Sequence, residues 1–297
     1  MNMLLAVAYL WTQVIIPGKN PVSLFGINDK SQVAVTTDDG TTGIYDHGKF
    51  TPLPPPPTSC GCSVAAVAVN DSGVVVGAST PIAGGSEQGF ILTGSTYTFF
   101  SWAGWDNTEP RGIGDQGLVV GYAFANDFSA SAGFVYDPST GTFTNVTPGS
   151  GFPSIVQGIN RSRVIAGSFV QPAPFKRFGL ISQWQFSPPP PQIPFTTRFQ
   201  VLVNPHALEV GGPTNARGIN DFGVVTGFVT VAVFRRGFVG SDSSGYELVI
   251  PPAGESPDVS MTCEGINNRF QVACIVSDLD GVTLGLFIGT PTSPLDR

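Results

Sequence analysis

Residues 216–227, ARGINDFGVVTG, contain the pattern that decides the fold. Small and apolar residues alternate as far as Ile219, Asn220 and Asp221 follow with Gly223, and a β-branched run comes next. Alternation with a period of two is typical of a strand. Asn, Asp and Gly favour a tight turn, because Asx side chains bond nearby backbone N–H groups and Gly accepts positive φ. The segment therefore predicts two antiparallel strands joined by a short hairpin loop, with a bulge at the glycine.

The same pattern occurs in five further segments. They are LFGINDKSQVAV from residue 24, AVAVNDSGVVVG from 66, PRGIGDQGLVVG from 110, VQGINRSRVIAG from 156 and CEGINNRFQVAC from 263. The aligned turn positions are 28, 70, 114, 160, 220 and 267, so successive copies lie 42 to 60 residues apart. Repeats of about 40–50 residues with four short strands each are typical of propeller blades.

We therefore predict an all-β fold with one domain over residues 1–297, a six-bladed β-propeller of four-stranded antiparallel blades. The predicted blade cores lie near 24–53, 66–102, 110–148, 156–205, 216–252 and 263–297 plus 9–17.

The N-terminal residues are expected to close the ring. WTQVIIPG, from Trp11, aligns with FTNVTPG from Phe143 and YELVIPP from Tyr246, which end the third and fifth copies. The sixth copy lacks such a strand, so the N-terminus is predicted to pair beside the segment near Phe287 and remove the free sheet edges. The apolar start is too short for a membrane span, which requires about 18–20 residues, and it has no basic region or cleavage site of a signal peptide.

Three features outside the turn carry structural predictions. Aromatic residues recur in the third strand at Phe90, Phe134 and Phe238, and this periodicity favours core packing between neighbouring sheets. Cys274 replaces the glycine of the second strand and is expected to be a small buried hydrophobe. The Cys60-Gly-Cys62 segment is compatible with either a strained bridge or reduced thiols.

Composition excludes several classes of function. The net charge is −7 with 14 Lys and Arg, which argues against a nucleic-acid partner, since phosphate binding needs clustered cations. Motifs of serine hydrolases, zinc proteases and nucleotide-binding loops are missing from the sequence, and the glycine-rich segments join strands instead. The cysteine spacing does not match zinc sites, and the Asp-rich turns at residues 38–40 and 278–281 have too few oxygen ligands for calcium. We predict no metal and no cofactor.

Variation between copies indicates the candidate site. The residue three positions before the repeat Asn is expected on the strand that lines the channel. These residues are Phe25, Val67, Arg111, Gln157, Arg217 and Glu264.

Two interpretations of the four polar residues stay open. Arg217 with Glu264, and Arg111 with Gln157, belong to neighbouring blades and can satisfy one another as buried pairs. Alternatively they form a polar pocket at the channel mouth, where Arg binds carboxylate or sugar hydroxyls and Glu264 is an acceptor or general base. Loop residues expected at the same face are Glu109, Glu87, Asp127 and His206, although an isolated loop His is typically solvated surface. No catalytic residue is assigned.

The I-N-D-x-G-x-V-V-G core followed by a Gly-Phe strand resembles the HAF-type repeat of bacterial proteins that are usually predicted to be extracellular. Copies one, four and six depart from it at the turn glycine, with Ser31, Arg163 and Phe270. The resemblance implies a propeller-like fold and a secreted, periplasmic or cell-surface protein, and it carries no catalytic motif. We predict a propeller that binds a small molecule, carbohydrate or protein. The alternative is a propeller hydrolase or lyase with a polar pocket at the channel mouth.

Overall fold

The computed structural model describes residues 8–147, 152–171, 176–183, 200–202, 213–252 and 258–292. These residues form six four-stranded antiparallel sheets arranged in a ring, which confirms the predicted propeller. The strands are β1 (Tyr9–Gln13), β2 (Pro21–Phe25), β3 (Val33–Thr37), β4 (Thr42–Asp46), β5 (Lys49–Pro52), β6 (Cys62–Val69), β7 (Val75–Pro81), β8 (Gln88–Thr93), β9 (Thr96–Phe100), β10 (Asn107–Ile113), β11 (Val119–Phe124), β12 (Ser131–Asp137), β13 (Thr142–Val146), β14 (Ser154–Ile159), β15 (Val164–Gln171), β16 (Lys176–Gln183), β17 (Gln200–Leu202), β18 (Thr214–Ile219), β19 (Val225–Val231), β20 (Phe234–Ser241), β21 (Gly245–Leu248), β22 (Ser260–Ile266), β23 (Val272–Ser277) and β24 (Thr283–Pro291). Blades 1 to 5 are β2–β5, β6–β9, β10–β13, β14–β17 and β18–β21, and blade 6 is β22–β24 with β1.

The ring is closed by the N-terminal strand, as predicted. Strand β1 pairs antiparallel with β24, with Gln13 opposite Phe287. The pairing continues beyond the strand, since the Val14 N–H donates to the Leu286 carbonyl at 2.8 Å. Blade 6 therefore has its fourth strand from the opposite end of the chain, which leaves no unpaired edge at β24.

The predicted bulge at the turn glycine is confirmed, and the first strand carries a second bulge that was not predicted. At the turn, Gly223 has φ 76° and the Asn220 N–H donates to the Val224 carbonyl at 3.0 Å, which is the geometry of a three-residue loop that ends in a glycine bulge. In blade 5 Ala216 pairs with Gly227 and Gly218 with Thr226, so Arg217 is the extra residue of the second bulge. Register shifts at the corresponding position occur in four further blades, at Val67, Arg111, Gln157 and Glu264. A bulge bends the strand and redirects the side chain, so the variable position of the repeat is also the position that the backbone re-aims.

The core prediction for the third strand is confirmed. Phe90, Phe134 and Phe238 are fully buried. The glycine opposite each one in the second strand leaves room for the ring: a Cβ on Gly77 would lie 1.9 Å from the Ala65 carbonyl oxygen and 2.8 Å from the Phe90 ring. Any larger residue at position 77 would therefore have to displace backbone.

Cys274, at the same place in blade 6, corrects one expectation. It is fully buried, as a small hydrophobe would be, but it forms a disulfide with Cys263. The reason is register, since the two cysteines are direct cross-strand partners in β22 and β23.

The repeat Asn has two roles. Within its own blade the Asn220 Oδ1 accepts from the N–H groups of Phe222 and Val224, at 3.1 and 3.0 Å, which fixes the turn. Its Nδ2 donates to the Asn267 carbonyl of the next blade at 3.2 Å. Equivalent bonds run from Asn28 to Asn70, from Asn70 to Gly114, from Asn160 to Asn220 and from Asn267 to Asn28. The repeat Asn side chains thus link each turn to the next around the axis, except after Gly114, which has no side-chain amide. There Gln116 Nε2 donates to the Arg161 carbonyl at 2.8 Å instead.

Within the described ranges, no helix has the length and apolar character needed to cross a membrane.

Candidate functional site

The first strands of all six blades line a cavity of about 110 Å³ on the propeller axis. Glycines narrow it midway, because neighbouring blades touch there. A Cβ on Gly218 would lie 2.9 Å from the Cα of Gly265, and a Cβ on Gly265 would lie 2.9 Å from the Cα of Gly26. Ionisable side chains therefore lie at the two ends of the channel. We call the end with the repeat turns, where the first strands finish, the turn end, and the end where the first strands begin the mouth.

The turn end is occupied by the residues that follow the repeat Asn. Asp71 accepts from the Asp29 N–H at 2.8 Å, and Asp221 accepts from the Arg161 N–H at 2.8 Å. The Arg161 guanidinium lies 3.0 Å from Asp115 and 3.4 Å from Asp221. Burial raises the pKa of Asp71, while the hydrogen bond that Arg161 donates to Asp115 raises the pKa of Arg161. These carboxylates are thus engaged by backbone N–H groups and by the exposed side chain of Arg161.

At the mouth, blade 3 contributes a triad on adjacent strands. Arg111 Nη2 lies 2.6 Å from Glu109 Oε1. The Tyr122 hydroxyl donates to Glu109 Oε2, and the Arg111 guanidinium lies 5.4 Å from the Tyr122 ring centroid. Burial would lower the pKa of Arg111, but Glu109 and Tyr122 together raise it, so the residue stays charged. Burial also raises the pKa of Tyr122 to about 12. Glu109 is therefore a fixed acceptor, held from both sides.

Blades 4 to 6 contribute a second group of charges. Arg217 Nη1 lies 3.4 Å from Glu264 Oε2, and the side chains are only 18% and 6% exposed. Arg177 donates to Ser168 at 3.1 Å. Burial lowers the pKa of Arg177, and the nearby charge of Arg217 lowers it further, so two cations share this part of the mouth. We call Glu87, Glu109, Arg111, Arg177, Arg217 and Glu264 the mouth cluster.

Several polar atoms of the mouth cluster are buried without a partner among the described residues: Arg111 Nε, Arg217 Nε and Glu87 Oε1. Native proteins leave few such groups, so each needs a reason. The Glu87 backbone is fixed, since its N–H donates to Asn107 Oδ1 at 2.8 Å. Burial, followed by the charge of Glu109, raises the Glu87 pKa to about 7. Unused donors and a proton-accepting carboxylate therefore coexist at one end of the channel.

The structure brings together most of the candidate residues. Arg217 pairs with Glu264 as expected for neighbouring blades, whereas Arg111 pairs with Glu109. Gln157 is buried and lines the same cavity. Glu109 was expected on a loop but lies within β10, because that strand starts earlier than the repeat pattern indicates.

Two other predicted positions do not join the mouth cluster. Asp127 is exposed and accepts from the Ser129 N–H at 3.0 Å. His206 lies outside the described residues.

Sequence reasoning missed Tyr122 and Arg177. Tyr122 is the direct cross-strand partner of Glu109, so the register of the hairpin contained that information. Arg177 stands two residues before the third-strand glycine, as does Arg235 in blade 5, and a comparison of third strands would have shown it.

Among the described residues, no three His, Cys, Asp or Glu side chains are placed to hold a metal ion. The Asp-rich segments of blades 1 and 6 are turns: the Gly40 N–H donates to Thr37 at 2.9 Å, and the Gly281 N–H donates to Asp278 at 3.2 Å.

No protein-family model matches the chain, and no curated protein matches it in sequence. Solved structures match it as a fold. A gluconolactonase from Xanthomonas campestris superposes with a TM-score of 0.53 at 8% identity, over 96% of this chain and 91% of that one. A second, gluconolactonase-like protein gives 0.52 at 10% identity, over 97% and 94%. TolB from Acinetobacter baumannii gives 0.52 at 11% identity over 92% of this chain, which spans 64% of TolB. At such identities the likeness establishes the propeller fold alone.

Proposed function

We propose that this propeller binds a small anionic molecule at the channel mouth, between Arg111 and Arg217. The observation that carries the proposal is that both guanidinium groups line one cavity and keep a buried Nε–H without an acceptor among the described residues. Each is already oriented by a carboxylate, Glu109 or Glu264. A ligand carboxylate would supply the missing acceptors without having to order the side chains.

The charge of the mouth cluster supports an anion. Three arginines face Glu109, Glu264 and Glu87, and Glu87 is neutral below its pKa of about 7. The cluster then carries one net positive charge within a protein whose net charge is −7. Since Glu87 gains a negative charge as the pH rises through its pKa, anion affinity should fall over that range.

The size of the cavity restricts the ligand. A volume of about 110 Å³ is below the roughly 300–1,000 Å³ of sites that enclose drug-sized molecules. A carboxylate group fits, with the rest of the molecule at the rim. Glu264 and Gln157 add acceptors and donors suited to hydroxyl groups. A sugar acid combines both features and is the ligand class we propose.

We place the protein outside the cytoplasm, as a secreted, periplasmic or cell-surface member of the HAF-type repeat proteins. The Cys263–Cys274 disulfide supports this placement, because disulfides persist in oxidising compartments. Cysteine mapping on protein purified from its native host would test it: free thiols at both positions would argue against export.

A second candidate function is a propeller hydrolase, and Glu87 is the observation that favours it. A partly buried carboxyl with a pKa of about 7, whose Oε1 has no partner among the described residues, suits a general base that activates water. Hydrolysis of a sugar lactone would yield the sugar acid that the mouth is proposed to hold. Glucono-δ-lactone hydrolysis that is lost in Glu87→Gln, while glucuronate binding remains, would support this candidate.

Calorimetric titration with glucuronate, glucose and inorganic phosphate tests the binding proposal. We expect heat from glucuronate but not from glucose, and a loss of affinity of about tenfold or more in Arg217→Met. Lys30→Met is the matched control, because it removes an exposed cation at the turn end and should leave affinity unchanged. If folded wild-type protein binds neither glucuronate nor phosphate, the proposal fails.

A further inference from the structure

The Cys60–Cys62 disulfide differs from the other disulfide in its surroundings. Cys60 is partly exposed and Gly61 exposed, on the loop that enters β6, whereas Cys263 and Cys274 are fully buried. Thiol–disulfide exchange requires an attacking thiolate to reach a sulfur atom, so access alone separates the two bonds. Only the first is open to a reagent from solution.

The loop around Cys60 is held by contacts that do not depend on the sulfur–sulfur bond. The Cys60 N–H donates to the Pro57 carbonyl at 2.9 Å, and the Ile82 N–H donates to the Gly61 carbonyl at 2.9 Å. Cys62 also pairs with Pro81 at the start of the β6–β7 ladder. Opening the bond therefore leaves the backbone of the loop in place.

The bond also contributes little to the fold. It spans a sequence separation of 2, against 11 for Cys263–Cys274. A disulfide stabilises mainly by restricting the unfolded chain, and that effect grows with the number of residues enclosed. Cycling between dithiol and disulfide at Cys60 and Cys62 is thus compatible with a folded propeller, which is the condition for a redox-active pair.

We propose that Cys60-Gly61-Cys62 is a thiol–disulfide exchange site for peptide cysteines, independent of the anion site at the channel mouth. The Ile82 N–H donates to the carbonyl of Gly61, the residue between the two cysteines, and Ile82 is an apolar residue that is 78% exposed. An exposed apolar residue next to a reactive disulfide fits a peptide segment better than a small hydrophilic thiol.

The exchange proceeds in two balanced steps. A substrate thiolate attacks Cys60 Sγ, a mixed disulfide forms, and Cys62 leaves as a thiolate that takes up a proton. The thiolate of the second peptide cysteine then attacks the sulfur of the first peptide cysteine in the mixed disulfide. The peptide disulfide forms, and Cys60 leaves as a thiolate. Two electrons and two protons pass from the peptide dithiol to the cysteine pair. Oxidised glutathione, a small-molecule disulfide, then oxidises the dithiol of the pair back to the disulfide and is itself reduced to two molecules of glutathione.

Equilibration of the full-length protein in graded glutathione buffers tests accessibility and lability. After alkylation, mass spectrometry of the peptides reports each disulfide separately. Where half of Cys60–Cys62 is reduced, we expect less than about one tenth of Cys263–Cys274 to be reduced, since exposed bonds are the more labile ones. The proposal is overturned if Cys60–Cys62 stays oxidised in every buffer that leaves the propeller folded.

A rate measurement tests the activity. A reduced peptide with two cysteines should be oxidised faster by oxidised glutathione when the wild-type protein is present, and the double variant Cys60→Ser, Cys62→Ser should return the rate to background. The matched variant Ile82→Ser should slow the reaction of the peptide but not reduction of the pair by glutathione. Peptide oxidation that persists in the double variant would refute the site.

Discussion

Asn267 donates a hydrogen bond from Nδ2 to the carbonyl oxygen of Asn28 at 2.9 Å, across 239 residues of sequence. The bond joins the last blade to the first at the turn end of the channel, while the pairing of β1 with β24 closes the same blade at its outer edge. Closure therefore has two separate elements, one from the repeat itself and one from the N-terminal strand.

The ring of amides has one gap, at Gly114, and filling it should stabilise the protein. In Gly114→Asn the new amide can donate to the Asn160 carbonyl and also accept within its own turn. We expect the free energy of unfolding to rise by about 1 kcal/mol. A new Cβ would lie 3.3 Å from Ile159 Cγ2, so a small adjustment there limits the gain. Denaturant unfolding gives the value, and Gly114→Ala, which adds the Cβ without the amide, is the control. Equal stabilities of the two variants would contradict this account of the ring.

Two substitutions to glycine at left-handed turn positions, Arg163→Gly and Phe270→Gly, should change the stability of the protein in opposite directions. Arg163 and Phe270 have φ of 61° and 59°, where Gly223 has 76°. Arg163→Gly relieves about 1 kcal/mol of backbone strain and removes a surface hydrogen bond to Gln116. The relief of strain should dominate, so this variant should be more stable than the wild type. Phe270→Gly relieves the same strain but removes a buried ring that stacks on Phe222 at 5.3 Å, so it should destabilise. Thermal unfolding of both variants is the measurement. A melting temperature that falls in Arg163→Gly would show that strain is not the deciding factor.

Removal of one partner from the Arg217–Glu264 pair should cost more than removal of both. Arg217→Met leaves the nearly inaccessible Glu264 carboxylate without its cation, and we expect a loss of about 3 kcal/mol of unfolding free energy. The double variant Arg217→Met, Glu264→Gln should recover much of that loss. Chemical denaturation of both variants tests this. A double variant as unstable as the single one would mean that packing of the Arg217 side chain dominates.

The folded state should lose stability as Glu87 ionises. Its folded pKa of about 7 lies above the usual 4.5, so the folded protein holds the proton more tightly than the unfolded chain. The contribution to stability is present below pH 4.5 and is lost as the pH rises through about 7. Because solvent screens the partly exposed carboxyl, we expect the free energy of unfolding to fall by about 2 kcal/mol over this range. Glu87→Gln should remove it, so the variant should gain on the wild type over this range. Parallel pH profiles of unfolding for the two proteins would contradict the assignment.

The sequence predicted the architecture because the repeat is local and periodic. Within one copy, the turn residues, the alternating strands and the Phe of the third strand together predict one blade. The recurrence of this pattern in six copies predicts the ring. The missing strand of the sixth copy was enough to predict that Trp11 lies against the last blade.

The mouth cluster was predictable in outline but not in its contacts. The phase of the repeat identified Arg111, Arg217 and Glu264, but a bulge re-aims these side chains, and a bulge depends on the pairing of two strands. The partner of Arg111 was therefore predicted as Gln157, whereas the ion pair is with Glu109, two residues away on the same strand. Cys263 and Cys274 show the same dependence, since only strand register places them opposite each other.

Titration of 15N-labelled protein with glucuronate, followed through the arginine Nε–H signals, tests the anion site most directly. The Nε–H signals of Arg111 and Arg217 report on the two buried donors that have no acceptor among the described residues. We predict that both signals move and saturate at the same glucuronate concentration, while that of Arg269, at the turn end, stays in place. If both remain unchanged in the folded protein, or if Arg269 moves instead, the mouth is not the binding site.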